Sequence, residues 1–237
     1  MLHAGNAIFP GTIETMFPAG DAMFQDRRDA GRALAQLVAA VPNLGDAVLL
    51  ALPRGGVPVA FEVARACKLP LDILGVRKIG APGQRELAMG AVASGGTTVL
   101  NPDVLRFLRI SEPTLNAAIE QEQLNLRRME AELREGSSPI AFDGRAAILV
   151  DDGLATGATM RAAICAVRPR ARVVIVAVPV GARSTCTALR GEADALICAL
   201  EPELLDAVGR FYRDFDPTSD DEVRALLAAV RGFGEIP

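Results

Sequence analysis

Apolar residues along this chain come in two rhythms, and the switches between them mark alternating strands and helices. Asp26 stands ahead of Leu34, Leu37, Val38 and Val41, whose spacing predicts a helix with an Asp cap. A short unbroken apolar run at 48–52 predicts a strand, followed by a turn at Pro53-Arg54-Gly55-Gly56 and a helix over 57–67 with Pro58 early in it. Residues 71–76 read as a second strand, and 77–86, polar and carrying Gly80, Pro82 and Gly83, as a loop. The runs 87–93 and 97–100 flank Gly95-Gly96 as a hairpin. A long charged amphipathic helix is predicted over 111–135, with Leu115, Ile119, Leu126 and Met129 roughly on one face. Strands at 147–150, 173–178 and 195–199 then alternate with helices at 157–167 and 183–190.

This alternation predicts an α/β fold, a parallel sheet with helices on both faces. Right-handed crossovers gather the loops that follow the strands on one edge, where such sheets bind ligands. Three polar or Gly-rich loops meet that rule: 53–56, 77–86 and 151–159.

Composition narrows the picture. A chain of 237 residues, half of them hydrophobic, is long enough for a full core, and 23–237 reads as a single domain with a small variable hood and a C-terminal helical tail. Mean hydropathy is +0.26, yet the longest apolar run, 173–182, is broken by Pro179 and Gly181 and reads as a buried strand, so no membrane partner is expected. Residues 1–22 are Gly/Pro-punctuated and aperiodic, without the basic start and apolar centre of a signal peptide; they read as a poorly ordered leader, with Met23 an alternative start. A net charge of −4 with no basic block argues against nucleic acid. Cys67, Cys165, Cys186 and Cys198 are scattered and read as small core residues of a cytoplasmic protein. The only histidine is His3, which rules out a Ser–His–Asp triad or a His-rich metal site.

The chemistry concentrates in Ile148-Leu149-Val150-Asp151-Asp152-Gly153-Leu154-Ala155-Thr156-Gly157-Ala158-Thr159-Met160, where an apolar strand stops at two carboxylates and a small Gly/Thr loop leads into a helix. A helix N-terminus presents unpaired N–H groups and partial positive charge, which favour a phosphate dianion. Gly157 and Ala158 let the backbone approach, while Thr156 and Thr159 add hydroxyl donors. Asp151 and Asp152 are acceptors suited to two sugar hydroxyls, or to waters on Mg²⁺. A capped helix behind a solvated acidic turn would carry the same short motifs; the whole string in its strand–loop–helix setting is what points to a sugar phosphate.

This string resembles the phosphoribosyl-pyrophosphate motif of the type I phosphoribosyltransferases. The order of the other elements agrees over about 24–200, and "LPRGGVPVA", "RKIGAPG" and "DDGLATGAT" are similar to segments of bacterial members without an assigned substrate. The resemblance implies a Mg²⁺-dependent transfer of the 5-phosphoribosyl group from phosphoribosyl pyrophosphate to a nitrogen nucleophile on a small-molecule acceptor, with release of pyrophosphate. It implies that Asp151 and Asp152 contact the ribose, and hold the metal through water. Ala155, Thr156, Gly157, Ala158 and Thr159 take the 5′-phosphate, and Arg54, Gly55 and Gly56 take pyrophosphate. Arg77 and Lys78, with Arg85 a weaker candidate, belong to a basic lid that neutralises the leaving group and excludes water. Members acting on 6-oxopurines carry Asp just before the Thr-Gly; Ala155 stands there and argues against hypoxanthine and guanine. Phe211, Tyr212 and Phe215 are open to two readings, stacking on the acceptor or packing of the tail. The helix over 111–135 covers the sheet or pairs with a second subunit in a homodimer. The alternative to an enzyme is a non-catalytic regulator that binds the same ligand; the lack of a basic surface counts against it.

Overall fold

The computed structural model describes residues 23–231, without the side chains of Arg85 and Glu86; the leader 1–22 and the weaker lid candidate Arg85 therefore lie outside what is described. The chain runs α1 (Arg27–Ala39), β1 (Val48–Ala51), α2 (Gly56–Cys67), β2 (Leu71–Ile73), β3 (Val76–Ala81), β4 (Gln84–Ala93), β5 (Thr98–Leu100), α3 (Pro102–Leu108) and α4 (Glu112–Arg134). It continues with β6 (Ala146–Val150), α5 (Ala158–Val167), β7 (Val173–Val180), α6 (Arg183–Leu189), β8 (Ala195–Leu200) and α7 (Asp220–Ala229).

Five strands form a parallel sheet in the order β2-β1-β6-β7-β8. Its central strands are buried on both faces, so they read as continuous apolar runs instead of alternating ones. Alternate residues still go to opposite sides. Leu49, Ile148, Val150 and Ile175 meet Leu34 and Val38 of α1, Val59 and Val63 of α2 and Val223 and Leu227 of α7. Leu50, Leu149, Val174 and Val176 meet Met160 and Ile164 of α5 and Leu189 of α6. The expected parallel sheet with helices on both faces is thus present. Asp26 caps α1 as its position predicts, its side chain accepting from Asp29 N at 2.7 Å.

The hood differs from the expectation. The strand expected over 71–76 ends at Ile73, because Gly75 turns its backbone to the hood: its N–H donates to Ser94 Oγ at 2.7 Å and its carbonyl accepts from Ser94 N at 2.9 Å. The segment expected as a loop, 77–86, is mostly strand. β3 pairs antiparallel with β4 and β4 with β5; of the residues read as loop formers, Pro82 and Gly83 are only the turn between β3 and β4, and Gly80 lies within β3 at a shift of register. Ile79 and Ala81 supply the reason: with Met89, Val92 and Leu126 of α4 they make a separate small core that offsets the entropy of ordering the polar strand. α3 also lacks a long periodic pattern. Its signal is Asn101-Pro102, where the Asn side chain accepts from Asp103 N and Val104 N and Pro occupies the first turn.

α4 is fastened to the edge of the main sheet by one buried ion pair. Arg134 Nε donates to Asp72 Oδ1 and Nη2 to the Ile73 carbonyl, both at 2.8 Å, while Asp72 Oδ2 accepts from Ile140 N at 2.9 Å. The hood sheet lies between α4 and α5, so the element that carries the candidate phosphate loop also touches the hood.

Candidate active site

β1 and β6 are neighbours in register, Ala51 opposite Val150, so the turns that follow them emerge side by side. The first is Pro53-Arg54-Gly55, with a cis Pro53–Arg54 peptide, leading into α2; the second begins at Asp151. They touch, Gly56 against backbone and Gly55 against the Asp152 side chain. A Cβ on Gly56 would lie 2.6 Å from the Val150 carbonyl oxygen and 3.0 Å from Asp151 Cα, and a Cβ on Gly55 would lie 2.1 Å from Asp152 Oδ2. Glycine at 55 and 56 is what allows the two turns to meet.

Beyond the acids the chain makes a single bridge from Leu154 to Gly181 and reaches Gly157, whose φ of 72° starts α5 without any side-chain cap. The first N–H groups of α5 therefore have no side-chain cap among the described residues, apart from a long 3.5 Å contact from Ala158 N to Thr156 Oγ1. Ala155, Thr156 and Ala158 are exposed and Thr159 is partly so. The loop's floor is held by Thr185 Oγ1, which donates to the Ala155 carbonyl at 2.6 Å.

The acidic pair is backed by Arg27, which the sequence did not single out, and by two of the tail aromatics. Arg27 Nε donates to Asp152 Oδ2 at 2.8 Å, and its Nη1 donates to the Asp216 carbonyl at 2.8 Å. The same guanidinium lies 3.8 Å over the Phe215 ring. Tyr212, packed between Phe24 and Phe215, donates its hydroxyl to the Asp152 carbonyl at 2.6 Å; burial, then Asp152, pushes its phenol above its ordinary value. Of the two readings of the tail aromatics, packing holds for Tyr212, which is 4% exposed. Local spacing carries no signal for these contacts, because Arg27 and Asp152 are 125 positions apart and Tyr212 and Asp152 are 60 apart.

Burial, then the adjacent Asp152 carboxylate, raises the Asp151 carboxyl well above the usual carboxylate range, against the opposing pull of the Asp152 N–H and Arg27. A carboxyl whose folded pKa is raised stabilises the fold at low pH, and that contribution is lost as pH climbs above its unfolded value near 3.8. Asp151→Asn keeps the acceptor for the Asp152 N–H. It should therefore raise the melting temperature of the ligand-free protein at pH ~7, with the gain shrinking toward pH ~4 where the wild-type acid is protonated. A lower melting temperature at pH ~7 would contradict that reading of the pair.

Of the remaining candidates the two arginines are already engaged. Arg54 is half-exposed and pairs with Asp220 at the start of α7, Nη2 to Oδ2 at 3.2 Å; this pairing raises the guanidinium's pKa and lowers the carboxyl's. Arg77 donates from Nε to Glu122 Oε2 on α4 at 2.6 Å, so it stands in a hood strand and not on a hinged loop. Lys78 is exposed and forms no ion pair among the described residues. For a metal, Asp151 and Asp152 offer an oxygen-only donor set of the kind hard cations prefer; burial first, then the neighbouring Asp152 carboxylate, raises Asp151, and a cation would offset the second of these. Cys186, Cys198 and Glu201 also cluster, with ligand atoms within 4.8 Å of one another, but Glu201 is taken by Arg190. Cys186 and Cys198 are buried as expected, whereas Cys165 is exposed on α5 and Cys67 only partly buried, which corrects the reading of all four as core.

An acidic pair and a helix start without a side-chain cap follow strands of a parallel sheet, beside a Gly-Gly turn, in an α/β protein that carries a second, small antiparallel sheet. Residues 23–198 match the model of the phosphoribosyl transferase domain, and the chain belongs to that family. It is 46% identical over 215 residues to the provisionally named phosphoribosyl transferase Rv0571c of Mycobacterium tuberculosis (strain ATCC 25618 / H37Rv), and equally to its counterpart MT0597 in strain CDC 1551 / Oshkosh. The match takes in 90% of this chain but 48% of each of those proteins, so the chain spans about half the length of these curated relatives. Among solved structures it is similar to TT1426 of Thermus thermophilus, with 41% identity and a TM-score of 0.77 over 89% of this chain and 100% of that one.

Proposed function

We propose that the chain transfers the 5-phosphoribosyl group of phosphoribosyl pyrophosphate to a nitrogen nucleophile, with release of pyrophosphate and dependence on Mg²⁺. The observation that carries this reading is the close approach of Gly56 to the Val150 and Asp151 backbone, with Gly55 against the Asp152 carboxylate, which brings the Pro53–Gly56 turn beside the two acids. In this reading Asp151 and Asp152 accept from the ribose hydroxyls and are the residues that would hold Mg²⁺, through its waters. The N–H groups and hydroxyls of 155–159 take the 5′-phosphate, and Arg54, Gly55 and Gly56 the pyrophosphate. Mg²⁺, when bound, adds positive charge beside the pyrophosphate. Arg54 and Arg77 exchange their present carboxylate partners for the ligand, and Lys78 needs no such exchange. Catalysis on this plan is positioning and electrostatic stabilisation of the separating charges, with no side chain named as general base. Ala155 places no carboxylate before the Thr-Gly, which favours acceptors other than hypoxanthine or guanine.

The test is a screen of the protein with phosphoribosyl pyrophosphate, Mg²⁺ and a panel of nitrogenous bases and amines, read as pyrophosphate formed. Release that depends on one acceptor and is lost with a chelator is the expected result. No release with any member of the panel, alongside measurable ligand binding, would replace the enzyme with the non-catalytic regulator.

A further inference from the structure

We infer that Arg27 is a positioning residue of the phosphoribosyl pyrophosphate site, joining the acid that receives the ribose to the turn that receives the pyrophosphate. The inference rests on the function proposed above and adds to it a residue from outside all three of its loops. Arg27 is the first residue of α1, and its side chain is only 11% exposed. Its Nε serves Asp152 Oδ2, and a Cβ on Gly55 would lie 3.3 Å from that same Nε. The guanidinium therefore sits at the seam between the acidic pair and the pyrophosphate turn. Arg54, by contrast, faces Asp220.

The guanidinium is a rigid fork of five N–H donors with fixed directions. Nε and Nη1 are engaged by Asp152 and the Asp216 carbonyl, while Nη2 donates to no described residue. Stacking on Phe215 fixes the plane of the fork, so its free edge cannot swing away independently of the carboxylate it holds. On the other side of the pair, Asp152 Oδ1 accepts no hydrogen bond from the described residues. One oxygen of Asp152 is thus clamped and the other left for a ligand hydroxyl, and Arg27 retains one nitrogen for a phosphate oxygen. It also offsets one of two adjacent negative charges that would otherwise repel a polyanionic ligand.

The experiment is calorimetry on the full chain with phosphoribosyl pyrophosphate plus Mg²⁺, and separately with inorganic pyrophosphate plus Mg²⁺, for wild type, Arg27→Met and Arg27→Lys. Urea denaturation of each variant runs in parallel. Arg27→Met should weaken both ligands by about tenfold to 150-fold, the range expected for a lost charge-assisted hydrogen bond. Arg27→Lys should fall between the two, because a point charge cannot hold Asp152 and a phosphate oxygen together. Wild-type affinities in Arg27→Met overturn the inference and leave the functional reading standing. If Arg27→Met does not fold, Arg27→Lys decides, and wild-type affinity there overturns it equally. A wild-type protein that binds neither ligand overturns the functional reading and this inference with it.

Discussion

Gly56→Ala should cost the protein both stability and its hold on the pyrophosphate end of its ligand. Alanine is the better helix former by about 1 kcal/mol, and Gly56 is the first residue of α2, so local propensity alone predicts a gain. The surroundings reverse the sign. The added methyl would stand 2.6 Å from the Val150 carbonyl oxygen and 3.0 Å from Asp151 Cα, and both are backbone atoms at the end of a strand paired on its two sides. Neither can rotate away as a side-chain tip would. Relief has to come from moving the Pro53–Gly55 turn away from β6, at about 1–3 kcal/mol for overpacking of this kind. That movement separates the two loops that the ligand must bridge, so affinity for pyrophosphate with Mg²⁺ should fall by more than about tenfold, because misplacement of even an ångström disables a positioned site. Urea midpoints and calorimetry read the two effects. Gly45→Ala is the control, since nothing lies within 4 Å of its added methyl. A Gly56→Ala protein with the wild-type midpoint and affinity would show that the turns do not need their present contact.

What the sequence disclosed and what it hid divide along physical lines. The main sheet was legible because a parallel strand covered on both faces leaves an uninterrupted apolar run, as at Val48–Ala51 and Ala146–Val150. The loop at Asp151–Asp152 was legible because each of its parts is local: a strand end, two acids, and a positive-φ glycine opening a helix. The strand β3 was not, because its order comes from burying Ile79 and Ala81 against α4, while its other residues have the composition of a turn. The contacts that Arg27, Tyr212 and Asp220 make at the site were not legible for a different reason. Each residue reaches its partner, Asp152 or Arg54, across 60 to 166 positions, and in its own neighbourhood each has an ordinary local role or none. Arg27 reads as the first residue of a capped helix and Asp220 as one of three acids favoured by the start of α7. A site assembled from chain ends folded back on a sheet edge leaves its local half in the sequence and its distant half to the fold.

Asp152→Asn tests that assembly where the two halves meet, and its expected effect is among the largest in the protein. The substitution preserves size, and the amide oxygen can still accept from Arg27 Nε, so the ion pair becomes a neutral–charged hydrogen bond rather than a hole. What it removes is one of the two negative charges on which ribose hydroxyls and a hydrated cation would depend. Hydrogen bonds to charged groups contribute about 1.5–3 kcal/mol each, which corresponds to about a tenfold to 150-fold loss of affinity for phosphoribosyl pyrophosphate with Mg²⁺. Two opposing effects can be separated. Losing the charge relieves repulsion on Asp151 and leaves Arg27 with surplus positive charge beside Gly55, so inorganic pyrophosphate without metal should bind no worse and somewhat better. The full ligand, which needs the ribose contact, should bind worse. Calorimetry with both ligands, with and without Mg²⁺, distinguishes these outcomes. Equal affinity of mutant and wild type for the full ligand would remove Asp152 from the ribose. A parallel fall for pyrophosphate alone would mean that the carboxylate serves chiefly to hold Arg27 and the turn in place.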